Sequence, residues 1–248
     1  MKKLLFVLQS VVILAFYMWT NSAFAIEVQF PAQILYKILI ANKVMGSTKM
    51  TFTPKGREEG TYSLTLAQFQ GLGFKLQDRN VTLVKKNNLS LYANFLTRGD
   101  QTIYEIRLGS GDDFGITRQA FRYKEATDKG TIDTMLYSDY RVIDLLSSFL
   151  VISEKVRGGD KQSDKFNLFI GKSTKIVDLE YVGEVKIPYQ GKEVPTTALS
   201  LKYNGKEVFR FHIYQQGGVY FPVSVTIEDE KQGHIELRAD NIADNIIE

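Results

Sequence analysis

Cysteine is absent from all 248 residues, which removes disulfides, thiol catalysis and cysteine-based metal sites together. Histidine is nearly absent too: there are 2. His212 falls on the wet face of a strand beside Arg210 and Tyr214, and His234 follows a turn at Gly233, with no ligand spacing of the zinc type around either. Also missing are the G-x-S-x-G elbow, the S-x-x-K pair and the glycine patterns of phosphate and dinucleotide loops. Gly71-Leu72-Gly73 is too short to cradle a phosphate. Asp112 and Asp113, within the run GSGDDFG, lack the ligand series of a calcium loop. Adjacent carboxylates such as Glu58-Glu59 and Glu228-Asp229-Glu230 read as solvated strand ends, since a glycosidase pair is set by distance across a cleft and not by adjacency. No catalytic residue, metal site or cofactor is expected, and the chain is read as not an enzyme.

Net charge is scarce as well. The formal charge is +3, of which Lys2 and Lys3 carry two, so residues 26–248 are near +1. Charges of both signs are interspersed without a basic block, which argues against nucleic acid as a partner. Long apolar runs are limited to the first residues: Met1-Lys2-Lys3, the apolar stretch Leu4 to Tyr17 and the small-residue site Ala23-Phe24-Ala25 read as a signal peptide over 1–25, with a mature start at Ile26. No cysteine stands at that site to take a lipid, and no later stretch is long enough to span a bilayer. The expected location is a bacterial periplasm, in which the sequons at Asn80 and Asn88 are accidental. Residues 26–248 are read as a single β-rich domain, long enough to bury a core without disulfides.

What is present is alternation of period two. Tyr62, Leu64 and Leu66 alternate with Ser63, Thr65 and Ala67; Phe209, Phe211 and Ile213 with Arg210, His212 and Tyr214; Val223, Val225 and Ile227 with Ser224, Thr226 and Glu228. This marks strands with one buried and one wet face. Asn204-Gly205 predicts a two-residue hairpin turn, with weaker turns at Lys55-Gly56, Gln190-Gly191, Gly217-Gly218 and Gln232-Gly233. Roughly ten to thirteen antiparallel strands follow from such spacing, between about 33 and 123 and between about 165 and 242. Gly109 to Gly115, Lys124 to Thr134 and Gly158 to Asp164 read as loops.

One segment breaks the alternation. SDYRVIDLLSSFLVISEKVRGG, from Ser138 to Gly159, predicts a helix over about 139–156, with Ser138 as N-cap, Lys155 and Arg157 at the negative end and Gly158-Gly159 as the stop. Val142, Leu145, Leu146, Phe149, Leu150 and Ile152 form its apolar face, widened by Ile143 and Val151. Arg141, Asp144, Ser147 and Ser148 leave a narrow polar stripe, expected to reach solvent between sheet edges. A helix apolar over most of its circumference is normally surrounded by protein. The fold class expected is therefore mainly β: a large twisted antiparallel sheet or open barrel packed around one long helix.

The order of ILYKILIANKVMGSTKMTF, YSLTLAQFQGLGF, the VIDLLSSFLVI helix, FNLFIGKSTKIVDLEYVGEVKI and YFPVSVTIEDEKQGHIELR resembles a bacterial family of periplasmic proteins of unknown function. The shape of that family is compared with lipoprotein-carrier and lipoprotein-receptor folds. The resemblance implies an exported open β-barrel wrapped partly around helical structure, and it implies no catalytic residue. One strong helix stands here where a carrier uses several to plug its cavity.

With 13 Tyr and 16 Phe, a hydrophobic ligand is the leading functional expectation: a lipid or a lipidated protein held in the concave sheet. Phe69, Leu72 and Phe74, set around two glycines, and Leu146, Phe149 and Leu150 on the helix are the candidate cavity lining. The alternative is an envelope interaction or structural module with a permanently filled core, whose partner is another envelope protein.

Overall fold

The computed structural model describes residues 25–67, 78–98, 101–108, 119–127, 130–138, 140–170, 173–229 and 233–243. The elements run β1 (Gln33–Ile40), β2 (Lys43–Thr53), β3 (Thr61–Ala67), β4 (Asp78–Lys85), β5 (Leu91–Arg98), β6 (Gln101–Leu108), β7 (Gln119–Thr127) and β8 (Gly130–Ser138). Then come β9 (Arg141–Ile143), helix α1 (Leu145–Arg157), β10 (Asp164–Ile170), β11 (Ser173–Tyr189), β12 (Lys192–Tyr203), β13 (Lys206–Gln216), β14 (Val219–Asp229) and β15 (Gly233–Ala243). The mainly β class expected from alternation is what the chain adopts.

All the strands join one 15-stranded sheet, in the order β8-β7-β6-β5-β4-β3-β2-β1-β15-β14-β13-β12-β11-β10-β9. Neighbours pair antiparallel except β9 with β10, which pair parallel. The sheet curls until β9 meets β5, so the 12 strands from β5 round to β9 make a nearly closed barrel. Strands β6 to β8 continue the sheet past that closure. The turns obey the expected chemistry. Asn204 and Gly205 take φ of 51° and 76° between Tyr203 and Lys206, the double positive φ that a tight hairpin matching strand twist requires.

Inside the barrel, alternate residues from nearly every strand converge on α1. Leu64, Leu199, Leu201, Phe211 and Val225 all belong to one apolar core with Leu146, Phe149, Leu150 and Ile152 of the helix. Phe149 stands edge-on to Tyr36 at 6.0 Å and to Phe211 at 5.9 Å, and is itself 0% exposed. Tyr36 is equally buried. Its hydroxyl donates to the Pro222 carbonyl at 2.7 Å, which satisfies the one polar atom the ring carries inward. Among the described residues no helix is long and apolar enough to cross a membrane.

Two expected segments differ. Lys124 to Thr134, read as a loop, is mostly strand: Lys124 pairs with Asp133 and Glu125 with Ile132 in the β7–β8 ladder. Charged residues masked the alternation there, and a ladder needs backbone pairing more than apolar side chains. The helix also begins later than expected. Ser138 ends β8 and is not an N-cap, while Val142 and Ile143, assigned to the helix face, are strand residues paired with Asn167 and Leu168 of β10.

The true N-cap is Asp144, in a capping box. Its carboxylate Oδ1 accepts from the Ser147 N–H at 2.7 Å, and the Ser147 hydroxyl accepts from the Asp144 N–H at 2.7 Å. The polar stripe expected to meet solvent is buried instead: Asp144 is 5% exposed, Ser147 and Ser148 0%. Arg141 alone stays outside, over the Phe166 ring at 5.8 Å.

Asp144 also closes the barrel. Its Oδ2 accepts from the Thr82 hydroxyl of β4 at 2.6 Å and from the Asn94 amide of β5 at 2.5 Å. Asn94 Nδ2 further approaches Thr82 Oγ1 at 2.8 Å and Asn80 Oδ1 at 2.9 Å. Its two hydrogens thus serve three acceptors. An ionised carboxylate is costly to bury unless hydrogen-bonded, and here three donors and the positive end of α1 meet it. Replacing Asp144 with Ala removes the cap and takes from Thr82 and Asn94 the acceptor they share in the seam. A loss of about 2–4 kcal/mol in chemical denaturation is expected, with a smaller loss for Asp144→Asn, which retains the cap.

Candidate functional site

The barrel has two unlike ends. Register places the β1–β2 turn (Ala41, Asn42) at one end, and the start of β1 (Gln33) beside the close of β15 (Ala243) and the β13–β14 turn at the other. The second end is the mouth toward which α1 runs out. Half of it is covered by the segment before β1. Ile26 N–H donates to the Lys86 carbonyl at 2.8 Å, Val28 N–H to the Tyr62 hydroxyl at 3.2 Å, and the Tyr62 hydroxyl donates to the Ile26 carbonyl. Val28 and Phe30 are buried there, with Phe30 edge-on to Phe52 at 5.6 Å.

The other half is open and holds a cavity of about 360 Å³ between the end of α1 and the inner face of β11, β12 and β13. Its floor is apolar: Val156 of the helix, Leu199 of β12 and Ile213 of β13. Tyr181, Tyr214 and Tyr220 line it as well. Tyr214 is held by Tyr189 at 5.7 Å and Phe221 at 6.1 Å, ring to ring. Asp160, Lys161, Glu184 and Gln215 form an exposed polar rim.

A bulge in β11 creates the polar part of this wall. Residues three apart on a regular strand face opposite ways, yet Tyr181 pairs with Leu199 and Glu184 with Thr197 because the register shifts between Tyr181 and Gly183. Gly183 takes φ of 146°, a value side-chain-bearing residues seldom adopt. With both side chains on one face, the Tyr181 hydroxyl donates to Glu184 Oε1 at 3.0 Å. The Thr197 hydroxyl donates to Glu184 Oε1 and Oε2 at 3.2 and 3.1 Å. Among the described residues no basic side chain is ion-paired with Glu184.

The helix terminus supplies the opposite rim. Gly158 N–H returns to the Glu154 carbonyl at 2.9 Å, Gly159 N–H to Val156 at 2.9 Å, and Asp160 N–H to Lys155 at 3.1 Å. Lys155 is paired with Asp160 at 2.5 Å, and that hydrogen bond holds the Asp160 carboxyl below the usual carboxylate range. Lys161 is left to stand over the Tyr181 ring, its ammonium 4.7 Å from the centroid.

Of the six residues expected to line a cavity, the three that are described, Leu146, Phe149 and Leu150, do not border this one. Leu146, Phe149 and Leu150 lie in the sealed core, where the helix and sheet fill each other's grooves. Phe69, Leu72 and Phe74 fall outside the described residues, as do Asp112 and Asp113. Sequence reading passed over Tyr181, Glu184 and Thr197, although Gly183 inside a strand pattern was the signal of a bulge. The two serines of the polar stripe are committed to the start of the helix: Ser147 as above, and Ser148 through its hydroxyl to the Leu145 carbonyl at 2.6 Å. Among the described residues no group of three or more His, Cys, Asp or Glu could hold a metal.

Comparison with known proteins finds no matching family model, no similar curated protein and no similar solved structure.

On the outer face, polar side chains form a repeated arrangement across β12 to β15. Ser200 donates to Glu207 at 2.6 Å and Ser224 to Glu236 at 2.8 Å, while Arg210 and Arg238 clasp the same two carboxylates. The His212 ring lies between these clusters, half-buried, with Nδ1 3.5 Å from the Thr196 hydroxyl. Burial, and then the neighbouring Arg210 charge, lower its pKa, with Glu236 and Glu207 opposing. The unfolded chain therefore binds a proton that the folded one resists. The stabilising contribution is full above His212's ordinary value of about 6.5 and is lost as pH falls from there through the folded value. Stability followed from pH 7.5 to 5.5, roughly that window, is expected to fall less steeply in His212→Gln than in the parent; equal slopes would show that another group governs it.

Proposed function

We propose that this is an exported, non-enzymatic binding protein of the bacterial envelope, in which a permanently filled barrel is the scaffold and the half-open mouth is the ligand site. The observation that carries the reading is the division of the interior. Phe149 and its neighbours occupy the hollow of the sheet, whereas about 360 Å³ beside the end of α1 is left unfilled and lined by aromatic and hydrogen-bonding side chains. Concave pockets with an apolar floor and a few placed polar groups are the usual form of small-molecule sites. The expected hydrophobic partner is thereby narrowed. A lipid or lipidated segment would lay its apolar part on Val156, Leu199 and Ile213 at the mouth, not thread through the barrel.

A second reading, docking of another envelope protein, is supported by the far end of the barrel. Val44 and Met45 beside the β1–β2 turn are 60% and 54% exposed, and exposed apolar side chains at a hairpin tip suit a protein contact.

Native mass spectrometry of protein purified gently from periplasmic extract tests both. A stoichiometric adduct that disappears in Thr197→Trp, which fills the mouth from its polar wall, is the expected result. An adduct-free mass would overturn the ligand reading and leave the hairpin tip as the surface to pursue; an adduct retained in Thr197→Trp would overturn the mouth as its site.

A further inference from the structure

The mouth pocket is already occupied by chemistry of its own. The Lys161 ammonium rests over the Tyr181 face at 4.7 Å, within the range of a cation held by a ring quadrupole. Beside that ring, the Glu184 carboxylate is oriented by two hydroxyl donors, Tyr181 and Thr197, and has no basic partner among the described residues. Asp160 adds a second carboxylate, which Lys155 neutralises. The C-terminal end of α1 lies at the same rim and favours positive charge.

Resting on the reading of the mouth as a ligand site, we propose that its ligand carries an organic ammonium group, which displaces Lys161 from the Tyr181 face and is countered by Glu184. An anion is disfavoured by Glu184 and by the helix carbonyls. A wholly apolar ligand would strip water from Glu184 without giving it a partner, which is costly. The ammonium belongs either to a free amine or to a lipid headgroup, whose glycerol and chain start would then meet the apolar floor.

Calorimetric titration with choline and with its uncharged isostere 3,3-dimethylbutan-1-ol tests the class of ligand. Choline is expected to bind at least about tenfold more tightly, the scale of a partly desolvated cation–ring contact with a counter-charge. Glu184→Gln keeps acceptors for both hydroxyls but removes the charge, and is expected to weaken choline binding by about tenfold or more. Lys161→Ala removes the internal competitor and is expected to strengthen it a few-fold. Tighter binding of a choline-headed lysophospholipid below its micellar concentration assigns the lipid source; equal binding assigns the free amine. Equal affinity for choline and its isostere would overturn the ammonium inference. So would failure of choline to bind at millimolar concentration, even where the adduct lost in Thr197→Trp leaves the mouth reading intact.

Discussion

The carboxylate of Asp144 lies where the short strand β9, the start of α1 and the strands β4 and β5 converge. From one side chain it caps the helix through Ser147 and receives Thr82 and Asn94 across the seam. The two tasks are coupled by geometry. A helix that enters the barrel must start at its wall, and a curled sheet without a continuous ladder at its closure needs a substitute for the missing backbone bonds. Asp144 serves because a carboxylate has enough acceptor capacity to satisfy donors from both directions. Asp144, Thr82 and Asn94 are all buried, so each of those bonds is stronger than at the surface, and each would be expensive to leave unmade.

From that anchor the rest of the interior follows. Once α1 is held at its start, its apolar circumference fixes what the surrounding strands must present, and they present Leu, Ile, Val and aromatic rings at alternate positions. The edge-on contacts of Phe149 with Tyr36 and Phe211 span the barrel from β1 to β13. A sheet of this size without a helix inside would either flatten or enclose a large cavity. With it, the hollow is filled, and the unfilled space lies at the mouth, beside the end of the helix at Gly158-Gly159. The bulge at Gly183 then brings Tyr181 and Glu184 onto the same surface. The filled core and the open cavity are thus separate parts of one interior.

Much of this fold was legible in the residues, because alternation and turn chemistry are local. The Asn204-Gly205 hairpin, the strand pairs on either side of it and the buried helix follow from period and punctuation alone. What escaped reading was non-local or masked. Val142 and Ile143 look helical beside Leu145 and Leu146, and only the distant β10 makes them strand. Asp144 reads as one polar residue in a stripe until Thr82 and Asn94 are brought to it from 62 and 50 residues away. The mouth was harder still. Tyr181 and Glu184 share a face only through a bulge, and the pocket they line needs the end of α1 and four strands. Aromatic count pointed to Phe149 on the helix, which is buried in the core, whereas the aromatics described in the cavity lining are tyrosines.

With its apolar circumference buried, α1 fills the barrel permanently and does not swing out as a plug. Native-state amide hydrogen exchange tests it directly, since local and global opening are distinguished by their free energies. The expected result is that the amides of Phe149 to Ile152 exchange only with global unfolding, together with those of β13 and β14. Exchange of the helix at a markedly lower opening energy than those strands would show a displaceable plug, and would return the hollow of the sheet to the ligand.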